Sequence, residues 1–350
     1  MLFRFRVNSG SKIIAMKGFS RLALTAVLAL ALPGIAAADT VKIGISKLFS
    51  QAAVPLAIER GYFKEQGLDV EMVFFDAAQP IAVAVASGDV DFGVAGMSAG
   101  FFSLASQGQL RLIGSSTREK KGFYSLIFLT SNKAAAAGLK TAKDLPGHDI
   151  AITQVGTSLH YSIGQVAERN GFAMSTVSVK PLQSNSNVVS ALTGGTVDAA
   201  VMPGSSVLPM LSHGDIQLLG WIGDLAPGSS GSSLFTATKI ANGRGEVVTR
   251  FMAGYRKGMR DFHDAFATAD DERRNGPSAA GVLKAVSAFT GVSAEELDKA
   301  VPYGDPDARM DAADVARQIN WYKSQNLLKG DIKADSLIDN RYALFIPPAK

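Results

Sequence analysis

SGDVDFGVAG, residues 87–96, returns later in the chain as GGTVDAAVMP, residues 194–203. In both stretches small residues lead into a Val-Asp pair and then into an apolar run with the composition of a buried strand. Asp91 and Asp198 are 107 residues apart. The same interval separates VKIGIS at 41–46 from HDIAIT at 148–153, two segments whose alternation predicts strands. Between these anchors AIERGYF at 57–63 answers to VAERNGF at 166–172, and LDVEMV at 68–73 to VSVK at 177–180. Each copy reads as strand, loop, helix, strand, loop, helix and then the Val-Asp strand. Strands alternating with helices predict parallel βαβ units, and the duplication predicts two α/β lobes.

In open α/β sheets ligands bind beyond the carboxyl ends of the strands, where helix starts offer free N–H groups. The loops after each matched strand therefore hold the candidate site. In the first copy they supply Lys47, Phe49, Ser50, Gln51, Gln79, Gly96, Met97 and Ser98; in the second, Thr157, Ser158, His160, Asn185, Asn187, Met202 and Pro203. Thr117, Arg118 and Tyr124, near the exit from the first copy, complete the set. Hydroxyl and amide side chains at helix starts also serve as ordinary caps. The functional reading rests on their joint occurrence at equivalent strand ends.

Composition narrows the function. With 350 residues, 47% hydrophobic and 19% charged, the chain is long enough for two globular lobes and too apolar for disorder. It contains no Cys, which excludes disulfides, thiol nucleophiles and Cys-based metal sites. Lys17 and Arg21 precede the apolar run 22–32, Pro33-Gly34 breaks it, and Ala36-Ala37-Ala38 precedes Asp39. This is the pattern of a signal peptide over residues 1–38, cleaved near Ala38/Asp39, with Met1 or Met16 as initiator. The leader holds five basic residues and no acid, so the formal charge of +4 becomes −1 without it. No basic excess remains to suggest nucleic acid or anionic lipid. A soluble periplasmic protein is expected.

The phrases KIGIS, PLAIERGYFKEQGLDVEMVFFD, ASGDVDFGVAG, TAKDLPGHDIAI and GTSLHY resemble solute-binding proteins of ABC importers, in the nitrate, taurine, aliphatic-sulfonate and thiamine-pyrimidine-precursor group (NMT1/THI5-like), over about residues 40–240. The resemblance implies a type II periplasmic-binding fold: two α/β lobes, a ligand cleft between them and two crossing strands. It also implies a small-molecule ligand, a membrane permease and its ATPase as partners, contact with the membrane only through the permease, and no cofactor. A monomer is expected.

The crossings are placed at Phe123–Thr130 and Ser233–Thr238, which gives 39–126 with 234–350 as the first lobe and 127–233 as the second. Apolar spacing predicts a helix from about Glu246 to Phe266 and another from Ala313 to Leu328, and Ser293 with Glu296 forms a capping box. These C-terminal helices are expected to pack on the first lobe. Helix-start amides would favour an anion, so an organic sulfonate or carboxylate is the expected ligand, with a pyrimidine precursor as the alternative.

GMSAG at 96–100 also fits the G-x-S-x-G nucleophile elbow, with His263 later in the chain, and so raises a serine hydrolase. The equivalent strand end of the second copy, MPGSS at 202–206, has no elbow, which favours binding over catalysis. The four histidines have no i, i+4 partners among themselves, and no metal site is expected.

Overall fold

The structure, a computed structural model, describes residues 38–347. The leader expected at the N-terminus lies outside the described residues. The chain opens with β1 (Asp39–Ile45), α1 (Ala53–Glu59), β2 (Leu68–Phe74), α2 (Ala78–Ser87), β3 (Phe92–Ala95), α3 (Ala99–Ser106) and β4 (Leu110–Arg118). It continues with β5 (Leu126–Ser131), α4 (Asn132–Ala136), β6 (Asp149–Ile152), α5 (Ser158–Asn170), β7 (Ser178–Pro181), α6 (Asn185–Thr193), β8 (Ala199–Pro203), α7 (Leu208–His213), β9 (Ile216–Trp221) and α8 (Ile222–Leu225). It ends with β10 (Ser230–Ala237), α9 (Thr238–Gly243), α10 (Gly245–Phe266), α11 (Ala279–Thr290), α12 (Ala294–Asp298) and α13 (Ala312–Ser324).

The strands form two five-stranded sheets with equivalent orders, β2-β1-β3-β10-β4 and β7-β6-β8-β5-β9. In each, the first three strands are the parallel set read from the repeat, with β1 paired to β2 and β3, and β6 paired to β7 and β8. The fourth strand is antiparallel and comes from the other side of the chain: β10 completes the first sheet and β5 the second. Each lobe thus borrows its fourth strand across a crossing. Leu126 already pairs with Pro203 in the second sheet, and Ser230 pairs with Arg118 in the first, so the crossing segments proper are 119–125 and 226–229.

Burial explains the layers. Strands β3, β5 and β10 are buried throughout, as central strands covered on both faces must be. Helix α10 turns Val247, Phe251, Met252, Tyr255 and Met259 inward at helical spacing, and Phe251 stacks on Phe92 at 3.9 Å and on Phe63 at 4.9 Å. Helices α2 and α5 stop at Gly88 and Gly171, which take the left-handed conformation that closes a helix at low cost. Ser293 caps α12 through the Glu296 N–H as the capping box predicts. The C-terminal third departs from expectation in one respect. Helix α13 packs on the second lobe as well as the first, because Trp321 lies against α5. Among the described residues no helix is long and apolar enough to cross a membrane.

Candidate functional site

The carboxyl ends of the parallel strands in both sheets converge on one cavity of about 80 Å3, several times the space a single water needs. The lobes are shut around it. Ala99 donates its N–H to the Gly156 carbonyl at 2.7 Å, a hydrogen bond from one lobe to the other. Gly96 comes so close to the second lobe that a Cβ there would stand 2.3 Å from Ser158 Oγ.

Two helix starts form the chemistry of the wall. Helix α2 has Ala77 at its N-cap, among the weakest capping residues, and makes no side-chain cap. Helix α5 has Thr157 at its N-cap, but the Thr157 hydroxyl donates instead to the Gln154 carbonyl at 2.9 Å. Both starts line the cavity, through Ala77 and Ala78 and through Thr157, Ser158 and Leu159. Their first-turn N–H groups have no capping side chain and carry the positive end of the helix dipole. By contrast, Ser98 caps α3 and Ser184 caps α6.

Hydroxyl side chains surround these donors: Ser46, Ser50, Ser125, Thr153 and Ser232. Gln51 Oε1 accepts the Ser46 N–H at 2.7 Å, which fixes that side chain at the wall and leaves its NH2 group as a donor. No Lys or Arg lines the cavity, and Asp76, exposed at its edge, is the ionisable residue in the lining. Asn185 Oδ1 is buried without a partner.

Of the residues singled out in the sequence, the cavity brings together Ser50, Gln51, Gly96, Thr157, Ser158, Asn185 and Pro203. Gln79 and Ser98 lie on a second, more open groove that shares Thr157 with the cavity. The others lie elsewhere. Lys47 is exposed, its ammonium 5.1 Å from the Phe74 ring centre. Phe49 is buried edge-on to Phe262 and Phe266, and Met97 and Met202 are in the cores of their lobes. Arg118 lies over the Tyr303 ring and Tyr124 stacks on Trp221. Asn187 donates its side-chain amide to the Leu182 carbonyl. His160 is buried against Trp321, accepts the Gly156 N–H at 3.2 Å, and is pushed down to about 4 by desolvation.

The sequence reading missed three lining residues. Ser125 reaches the cavity from the first crossing, and Gly231 and Ser232 reach it from the start of β10. The signal was the run SSGSS at 229–233, a poor strand former on its own account that leaves space where bulkier residues would fill it. Behind Gly231 lie Thr117 and Glu119; a Cβ on Gly231 would stand 2.9 Å from Thr117 Oγ1 and 3.3 Å from Glu119 Oε1. Neither carboxylate oxygen of Glu119 makes a well-formed hydrogen bond, and burial pushes the group up to about 8 despite the nearby Leu126 N–H, Ser125 hydroxyl and Gly223 N–H.

The family model described as NMT1/THI5 like matches residues 49–266. The chain belongs to the NMT1/THI5-like family. No curated protein sequence matches it at significant similarity. Among solved structures, this family member is similar to the alkanesulfonate-binding protein SsuA from Xanthomonas axonopodis pv. citri bound to MOPS, with TM-score 0.69, 20% identity and coverage of 86% of this chain and 98% of that one. It is also similar to the periplasmic nitrate-binding protein NrtA from Synechocystis PCC 6803, with TM-score 0.64, 12% identity and coverage of 85% and 84%. A third neighbour is the desulfurization enzyme DSZB, with TM-score 0.61, 15% identity and coverage of 87% and 97%. At these identities the likeness establishes the fold, which is that of periplasmic binding proteins and is shared with an enzyme.

Chemistry at Ser98 finds no support in its surroundings. Its Oγ donates to Gln79 Oε1 at 2.7 Å and accepts the Phe101 N–H at 3.0 Å, the work of a helix cap. Both ring nitrogens of His263, the candidate base, face carboxylates, those of Asp264 and Asp271, and neither faces Ser98.

Proposed function

We propose that this NMT1/THI5-like protein is the solute-binding component of an ABC importer, acting in the periplasm, where it captures a small organic anion, a sulfonate or carboxylate, and delivers it to a membrane permease driven by an ATPase. The supporting observation is the pair of uncapped helix starts, α2 from one lobe and α5 from the other, meeting at one cavity between the lobes. An anion placed between them satisfies amides of both lobes at once. Neither lobe alone provides that arrangement, so binding favours the closed form. Expulsion of water strengthens each hydrogen bond to the bound group. No basic side chain is needed, and the small volume selects a compact solute. The permease would read the closed shape, and the protein itself would carry out no chemistry.

A second reading, capture of a pyrimidine precursor, is favoured by the unpartnered Asn185 Oδ1 and by Asp76, which both ask for hydrogen-bond donors on the ligand.

Thermal-shift screening of the leaderless protein against alkanesulfonates, carboxylates, nitrate and aminopyrimidines tests both. A solute at a hundred times its Kd adds about 2.7 kcal/mol of stability. A response confined to anions supports the first reading and one confined to aminopyrimidines the second. Silence across the panel, or esterase turnover lost in Ser98→Ala, would overturn the binding function.

A further inference from the structure

Helix α13 follows the segment matched by the family and touches three parts of the molecule. On the first lobe, Tyr322 donates its hydroxyl to the Met97 carbonyl at 2.9 Å. At the start of β10 the buried Asp314 accepts the Ser230 N–H at 2.7 Å, and at the return crossing Arg317 reaches the Gly228 carbonyl at 3.3 Å. On the second lobe, Trp321 lies edge-on to His160 and Tyr161, with ring centres 5.0 and 5.5 Å apart, and seats on Gly164. A Cβ at Gly164 would stand 2.3 Å from the indole Nε1 and 2.4 Å from Cε2. Gly164 lies in the middle of α5, where glycine weakens a helix and no turn requires it. The close approach of the indole is the feature that does require it.

We propose that Trp321 is a positioning residue for the cavity: seated on Gly164, it latches the first turns of α5 to the first lobe, so that the uncapped start of α5 is held at the cavity wall. His160, Tyr161 and Gly164 occupy the two turns directly behind Ser158 and Leu159, which line the cavity. A contact made by Trp321 therefore sets the position of the amides while touching no solute. Because it spans the two lobes, it also biases the open–closed equilibrium before any solute arrives. The bias acts from outside the cavity and does not depend on which solute is bound.

The test needs no solute. The chain has no Cys, so Val83→Cys and Ser190→Cys, at exposed and equivalent positions of α2 and α6, take spin labels without competition. Interlobe distances are then measured by pulsed electron resonance in the solute-free protein. Gly164→Ala and Trp321→Ala are each expected to raise the ratio of long to short distances by roughly tenfold, with Trp321→Phe intermediate. Gly164→Ala combined with Trp321→Ala should match Trp321→Ala alone, because the added methyl then meets no ring. If Gly164→Ala does not fold, the two Trp321 variants carry the test. Unchanged distance distributions in Trp321→Ala, with only a lowered melting temperature, would overturn the proposal and leave the solute-binding function untouched.

Discussion

Asp91 accepts the Lys42 N–H at 2.9 Å, and Asp198, 107 residues later, accepts the Asp149 N–H at 3.1 Å. Each returns its own N–H to the carbonyl of the same residue, Lys42 or Asp149. Each also offers its carbonyl to a threonine of the borrowed strand, Thr236 at 2.7 Å and Thr130 at 3.0 Å. The Val-Asp pair is thus a clamp that ties three strands of each sheet together, and the sequence repeats because both lobes need one. Asp91→Ala and Asp198→Ala should each cost about 1.5–3 kcal/mol, the worth of hydrogen bonds to a charged group. The costs should add, since the clamps share no partners. Urea denaturation of the single and double variants measures this; a double variant no less stable than either single one would contradict two independent clamps.

Gly96→Ala should separate closing from folding. The new methyl would lie 2.3 Å from Ser158 Oγ and 3.0 Å from its Cβ, so the lobes cannot shut without displacing Ser158. With the lobes apart Ser158 would withdraw, and the remaining close neighbour would be the Gly231 carbonyl at 3.3 Å. Solute affinity should fall about tenfold, equivalent to 1.4 kcal/mol, while the urea midpoint of the solute-free protein stays near that of the parent. Titration calorimetry reads the affinity, and an unaltered Kd would mean that Gly96 does not govern closure.

These relationships differ in how far the sequence reveals them. The parallel core of each sheet is legible because the constant offset carries Ile43 onto Ile150 and Asp91 onto Asp198, and strand registers cannot slip without exposing the apolar face. The swap of β5 and β10 is only partly legible, since two apolar strands are evident but their pairing partners depend on where the chain turns back. At the site, small residues at strand ends line the cavity, whereas Phe49, Arg118, Tyr124 and His160 at similar positions turn to other neighbours. A strand end places a Cα near the cleft; packing decides where a long side chain goes. The backbone donors leave almost no trace beyond alanine at the α2 N-cap.

Glu119 gives the protein an acid-side preference. Its folded pKa of about 8 lies above the unfolded value near 4.5, so the folded state keeps a proton that the unfolded chain releases. Its contribution is complete below pH 4.5 and is lost as pH rises through 8, by at most about 5 kcal/mol. Glu119→Gln keeps the shape without the titration. The variant should exceed the parent by no more than about 1 kcal/mol at pH 5 and by several kcal/mol at pH 8.5 in urea denaturation; equal stability at pH 8.5 would show that the carboxylate is solvated or paired when ionised.

His160 works in the opposite sense. Buried beneath Trp321 and accepting the Gly156 N–H, it stays neutral in the folded protein down to about pH 4, whereas the unfolded chain takes up a proton near 6.5. The folded state therefore binds fewer protons, and the contribution is complete above pH 6.5 and lost as pH falls towards 4, by at most about 3 kcal/mol. Between pH 4.5 and 6.5 this slope opposes that of Glu119, so the two must be separated by substitution. His160→Asn retains an acceptor for the Gly156 N–H and removes the titration. Compared in a Glu119→Gln background, the His160-containing protein should lose about 2 kcal/mol more than the His160→Asn variant between pH 7 and 5. The same burial links the histidine to the α13 contact: in Trp321→Ala, water reaches the imidazole, and its NMR titration midpoint should move up from about 4 towards 6.5. A midpoint fixed near 4 in that variant would show that the lobe's own packing, and not the indole, keeps His160 dry.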